Sequence, residues 1–199
     1  MASIVVAGDT SGTVTLAAPA VSGTTTLTLP TTSGTVLTSA SNTNFPAGTV
    51  LQVLQTTKTD IFSTTSTSMV DITGLSVSIT PSSSSNKILV MFSGSIASNN
   101  NQNSVGIQLS RGGSALFVGD AAGSRVQATA MAYSANVDTQ YPANFSYLDS
   151  PATTSSTTYA IQMRCNIAGT AYLNRSSADA NTTTDFRTSA SIIVMEIKG

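Results

Sequence analysis

The sequence predicts an all-β protein, an extended arm of short β-repeats followed by an antiparallel, jelly-roll-like β-sandwich. Three observations carry the fold. The 199 residues are 40% hydrophobic but only 9% charged, so Ser, Thr, Asn and Gln must supply the polar surface. Helix-favouring Lys and Glu are scarce, while strand-favouring Thr, Val and Ile abound. A phrase beginning Ser-Gly recurs every eleven residues near the start, with Gly12, Gly23 and Gly34 and with Pro19 and Pro30 in register. From residue 49 onward, apolar runs of strand length alternate with polar turns, and no helical stripe is present.

In each repeat Thr alternates with an apolar residue: Thr13-Val14-Thr15-Leu16, Thr26-Leu27-Thr28-Leu29 and Thr35-Val36-Leu37. Period-two alternation makes a short strand, and the Ser-Gly and Pro supply turns. An eleven-residue coiled-coil period is excluded, because Gly and Pro in every unit would break a helix. Three such units have too thin an apolar face to offset their own ordering entropy. Residues 1–45 are therefore expected to lie against copies of themselves or another protein, with Val14, Leu16, Leu27, Leu29, Val36 and Leu37 facing that partner. The regular period argues against a disordered tail.

Residues 39–48 form the junction to the head, residues 46–199. Strands are expected at 49–56, as a pair within 68–80, and at 87–98, where "KILVMFSGSIAS" reads as a nearly continuous buried strand. A hairpin around Arg111-Gly112-Gly113 joins 104–111 to 114–119, followed by strands at 125–134, 143–149, 157–166 and 169–175. The last strand, 186–199, carries Ile193, Val194, Met195 and Ile197, a pattern that places it centrally or at a subunit boundary. About ten short strands at regular spacing indicate a sandwich of the jelly-roll kind. A head of about 154 residues buries some 68–70% of its unfolded surface and can fold alone.

Eight basic and nine acidic residues give a net charge of −1, with the cations scattered singly. Nucleic-acid binding, which needs clustered Lys and Arg, is not expected. No basic start precedes the apolar "SIVVA" patch, and no run reaches the roughly 20 apolar residues of a membrane span. The chain is expected to be made without export and to have no membrane partner.

Histidine is absent, which removes the Ser–His–Asp and Cys–His arrangements and the commonest metal ligand. The single cysteine, Cys165, lies on an alternating strand and is expected in the core. Asp120, Asp138, Asp149, Asp179 and Asp185 fall largely in turn-like contexts and read as turn formers, with Glu196 the lone glutamate. Calcium at Asp179, Asn181 and Asp185 would lack the EF-hand spacing. The triplets at Asn144, Asn174 and Asn181 and the Gly-rich "GDAAG" carry no chemistry. No catalytic residue, cofactor or metal is expected.

The phrases "SGTTTLTLPTTSGTVLTS", "GTVLQVLQTTKTDIFSTTSTSMVDITGLSVSITPSSSSNKILV", "GDAAGS" and "SYLDSPATTSSTTYAIQMRC" resemble virion proteins of tailed bacteriophages, especially those of aquatic and cyanobacterial hosts. The resemblance implies a homotrimer with an arm that attaches to the virion and a β-sandwich head that projects outward. It also implies a place on the virion surface after synthesis in the host cytoplasm and release by lysis. Two roles follow: a capsid decoration or cement protein partnered by the major capsid protein, or a short tail fibre partnered by a tail protein and a host surface glycan. Even fully extended, the arm spans at most about 150–160 Å, ample for clamping capsid neighbours and short for a host-searching fibre. For receptor binding the candidate loops are those bearing Asn99, Asn100 and Asn101, and Asp179, Asn181 and Asp185.

Overall fold

The computed structural model describes residues 3–7, 12–17, 31–33, 45–99, 103–134 and 139–199. The chain divides into two units, Met1–Thr38 and Ser39–Gly199. In the first unit β1 (Ser3–Ala7) and β2 (Thr13–Ala17) form an antiparallel hairpin, with Ser3 opposite Ala17 and Ala7 opposite Thr13. Gly12, at φ +81°, supplies the left-handed conformation just before β2. Strand β2 is the alternating part of the first repeat, and its partner is the "SIVVA" patch. Leu27, Leu29, Val36 and Leu37 lie outside the described residues.

The second unit contains β3 (Val50–Lys58), β4 (Phe62–Thr64), β5 (Val70–Ile79), β6 (Lys87–Ser98), β7 (Asn103–Arg111), β8 (Ser114–Leu116), β9 (Ala130–Ser134), β10 (Tyr141–Asp149), β11 (Thr157–Cys165), β12 (Ala171–Leu173) and β13 (Ala190–Ile197). No helix occurs among the described residues. Sheet one runs β10–β6–β13–β3, with β12 and β4 prolonging it beside the far end of β6. Sheet two runs β5–β11–β7, and β8 and β9 share the other edge of β7. With the three-residue strands set aside, sheet one takes the first, third, sixth and eighth strands, in the order first–eighth–third–sixth. Sheet two takes them in the order second–seventh–fourth–fifth. Every pairing is antiparallel. This double Greek-key order is that of a jelly roll, as the composition and strand spacing imply.

The core is the inward row of each strand: Ile88, Val90, Phe92 and Ile96 from β6 and Ile192 and Val194 from β13 meet Leu75, Ile107, Leu109, Ile161 and Met163 from sheet two. Cys165 is fully buried, as expected, and burial raises its thiol pKa. Strand β13 is central, between β3 and β6.

Several boundaries differ from expectation for identifiable reasons. Residues 70–79 form one strand instead of a pair: Gly74, at φ +81°, and a register shift opposite Ala160–Gln162 bend the chain without reversing it. The strand expected at 125–134 begins at Ala130. Before it, Gly119 N donates to Ala128 O and Gln127 Nε2 to Gly119 O, closing a loop on itself. The last strand starts at Ala190, since Phe186 O accepts from Gln140 Nε2 and Thr188 N donates to Asn174 O. Strand β4 is too short to register as a periodic pattern.

Candidate functional site

An antiparallel sandwich normally alternates apolar-in and polar-out on both sheets. Sheet two does so. Its outer face carries Asp71, Ser76 and Ser78 from β5, Thr158 and Gln162 from β11, and Ser104 and Gln108 from β7. These side chains bond across strands: Gln108 Nε2 to Gln162 Oε1 at 2.8 Å, Gln162 Nε2 to Asp71 Oδ1 at 2.9 Å, and the Ser78 and Thr158 hydroxyls at 2.7 Å.

Sheet one breaks the rule. Register places Leu148 opposite Leu89, Leu89 opposite Met195, and Met195 opposite Val53, so four apolar side chains form one row across β10, β6, β13 and β3 on the outer face. In the next row Met91 lies opposite Ile193, and beyond the other side Ile197 lies opposite Val50. Val50 is 48% exposed, Val53 52%, Met91 39% and Leu148 46%. Leu89, Ile193, Met195 and Ile197 are half-buried by their neighbours. Lys87, at one corner, is the charge paired into this patch. The sequence carried the signal: "KILVMF" and "SIIVMEI" are apolar at consecutive positions, the mark of strands covered on both faces. The chain itself covers one.

Beneath the end of this face, Glu196 is buried on β13. Its Oε1 accepts from Asn86 Nδ2 at 2.6 Å, Ser82 N at 2.6 Å and Ser82 Oγ at 2.8 Å, and its Oε2 from Gln52 Nε2 at 2.7 Å. Desolvation pushes its pKa up, but these donors outweigh it and hold the carboxyl below its ordinary value.

The structure reassigns the acidic candidates. Asp149 is no turn former: it ends β10, buried, accepting from Arg111 Nη1 at 2.8 and 2.9 Å and from the Tyr159 hydroxyl at 2.6 Å. Burial and this bond raise the Tyr159 pKa. Asp179 and Asp185 do share one loop with Asn181. Asp179 is clamped by Arg187 through two bonds of 2.9 and 2.7 Å, with Arg175 at 3.3 Å, and the Arg187 bonds hold its pKa low. Asp185 accepts from Ala180 N and Ser176 Oγ. Both carboxylates are thus spent on the loop itself, while Asn181 and Phe186 are exposed. Asp120 is exposed in a loop, and Asp138 lies outside the described residues. Among the described residues no three His, Cys, Asp or Glu side chains gather as a metal site.

Asn99 is exposed at the end of β6, with its Oδ1 taking a bond from Thr170 N at 2.7 Å. Asn100 and Asn101 lie outside the described residues. Val14 and Leu16 lie on β2. No site residue was expected on the outer face of sheet one, apart from the reading of β13 as a boundary strand.

No family model matches this chain, and no curated protein matches it. Among solved structures it is similar to a chain in the structure of infectious bursal disease virus, Gt strain, with a TM-score of 0.41 and 14% identity over 96% of this chain. It spans less than half, 46%, of that chain's length.

Proposed function

We propose that the protein is a structural component of a bacteriophage virion: a homotrimeric capsid decoration or cement protein on the particle surface. Residues 1–45 act as its attachment arm on the major capsid protein. The heads join through the outer face of sheet one. The observation that carries this reading is that face: eight apolar side chains in register across four strands, where a lone sandwich needs polar ones. The occupants are two further copies of the chain, because three identical apolar faces turned toward one threefold axis close into a ring that covers all of them. The Thr-rich repeats and the phage-like phrases agree with this role, as does a low-charge surface suited to packing against other proteins.

One observation favours the alternative of a short tail fibre or other tail component: sheet two, the opposite face, carries a recess lined by Arg125 and Arg164, suited to a ligand. Cryo-electron microscopy of whole particles separates the two. Density at threefold positions on the shell supports decoration, density confined to the tail supports the fibre, and absence from the particle defeats both. Leu27→Asp with Leu29→Asp releases the protein from the particle if the arm is the anchor; normal assembly of that variant removes the arm from this role.

A further inference from the structure

We propose that the recess on the outer face of sheet two binds an acidic sugar, a saccharide carrying a carboxylate. The recess encloses about 350 Å³, within the roughly 300–1,000 Å³ of small-ligand sites. It is floored by Gly106 of β7, with Arg164 on one side and Met131 on the other, as the strand register requires. The self-closed loop before β9 forms its wall and contributes Arg125 and Ser124.

Charge is the first argument. The whole chain has eight Lys and Arg, yet two arginines line this one recess. The other described arginines, Arg111, Arg175 and Arg187, all meet aspartates. Arg125 and Arg164 meet no carboxylate among the described residues. Arg125 Nη1 donates to Ala122 O and Arg164 Nε to Cys165 O, bonds that orient each guanidinium and leave further N–H groups for a ligand. Asp71, on the same face, is already engaged by Gln162. A bound carboxylate therefore gains charge-assisted bonds without displacing an internal partner.

The remaining lining selects the class of anion. Ser104, Ser124 and Asn166 offer short neutral donors and acceptors of the kind that pair with hydroxyl groups. Met131, 58% exposed, and Val126, 55% exposed, form an apolar lip for the C–H face of a ring. A bare phosphate would use the cations and waste the rest. Gly106 keeps the floor open: a Cβ there would lie 3.3 Å from Met69 Cε and 3.4 Å from Arg164 Cγ.

The proposal does not depend on the virion reading, which is tested by location on the particle. It is tested by titrating the purified full chain, by calorimetry and NMR, with galacturonic acid and N-acetylneuraminic acid against galactose, inorganic phosphate and a tetra-aspartate peptide. The acidic sugars are expected to bind, more weakly as salt rises, and galactose to bind far less. Arg125→Gln and Arg164→Gln each reduce affinity about tenfold or more, as loss of a charge-assisted bond does. Arg125 sits in an exposed loop, so its variant keeps the fold even if the Arg164 variant does not. Gly106→Ala lowers affinity with no change in charge. Binding that survives both arginine substitutions, equal binding of galactose, equal binding of phosphate, preference for the peptide, or no binding by any probe would each overturn the proposal.

Discussion

Placing a carboxylate at the centre of the apolar face separates a patch that is merely exposed from one that joins subunits. Met91 lies on the central strand β6, is 39% exposed, and pairs with Ser146 and Ile193. In a free protomer Met91→Glu leaves its charge in water. The cost is then at most the strand-propensity difference, on a scale that spans about 1 kcal/mol. In an assembly that buries the face, the same carboxylate is desolvated in every subunit with no cation opposite it, at several kcal/mol per ion. Even about 3 kcal/mol weakens association roughly 100-fold. Light scattering after size exclusion, repeated across concentrations, should show the wild type as a trimer and Met91→Glu as a folded monomer, whose urea midpoint, unlike the wild type's, no longer depends on protein concentration. Ser76→Glu, on the polar face of sheet two, should change neither quantity. A Met91→Glu protein that remains trimeric, or a wild type that is monomeric at every concentration, would refute the assignment of this face to self-association.

Glu196 gives a pH prediction. Its folded pKa is lowered, so its contribution to stability is present above the unfolded carboxyl pKa and is lost as pH falls through the folded one. Glu196→Gln should therefore be less stable than wild type at neutral pH, by about 1–3 kcal/mol because an amide N–H is set against buried donors, and the gap should narrow in acid unfolding titrations. Tyr159→Phe removes the 2.6 Å bond to buried Asp149 and is expected to cost about 1–3 kcal/mol by urea unfolding. A Cβ at Gly94 would stand 2.8 Å from Phe92 Cζ and 3.1 Å from Ala190 Cβ, so Gly94→Ala should destabilise by about 1–3 kcal/mol through overpacking. Gly119→Ala, which meets nothing within 4 Å, should stay within about 0.5 kcal/mol of wild type in the same urea unfolding titrations.

The fold was legible because strand chemistry is local. Alternation in "LSVSI" and "TTYAIQMRC" declares both an element and its inward face, and a low-charge, Thr-rich composition leaves no competing helix. Partners distant in sequence were not legible. Asp149 resembles a turn aspartate beside Ser150 and Pro151, and only the pairing of β7 with β11 brings Arg111 and Tyr159 to it. The same holds for Glu196, whose donors come from the turn before β6 and from β3. Residues 125–129 look like strand, since "RVQAT" alternates. Their hydrogen bonds instead close a loop, and that loop is what turns a flat sheet face into a recess.

The contrast between the two outer faces is not a by-product of composition. A chain-wide shortage of charge would leave both faces equally apolar, because it acts on every position alike. On its long strands sheet two meets water with polar groups, bonding Gln108, Gln162 and Asp71 into a cross-strand line and pairing the Ser78 and Thr158 hydroxyls. The same Ser and Thr vocabulary was open to Leu89, Met91, Leu148 and Val53, and these positions hold large apolar groups instead. Exposed apolar rows are an aggregation hazard unless a partner covers them. Three sandwiches that bury sheet one against each other leave sheet two outermost. In that arrangement Arg125 and Arg164 point away from the buried faces, where a ligand in solution can reach them.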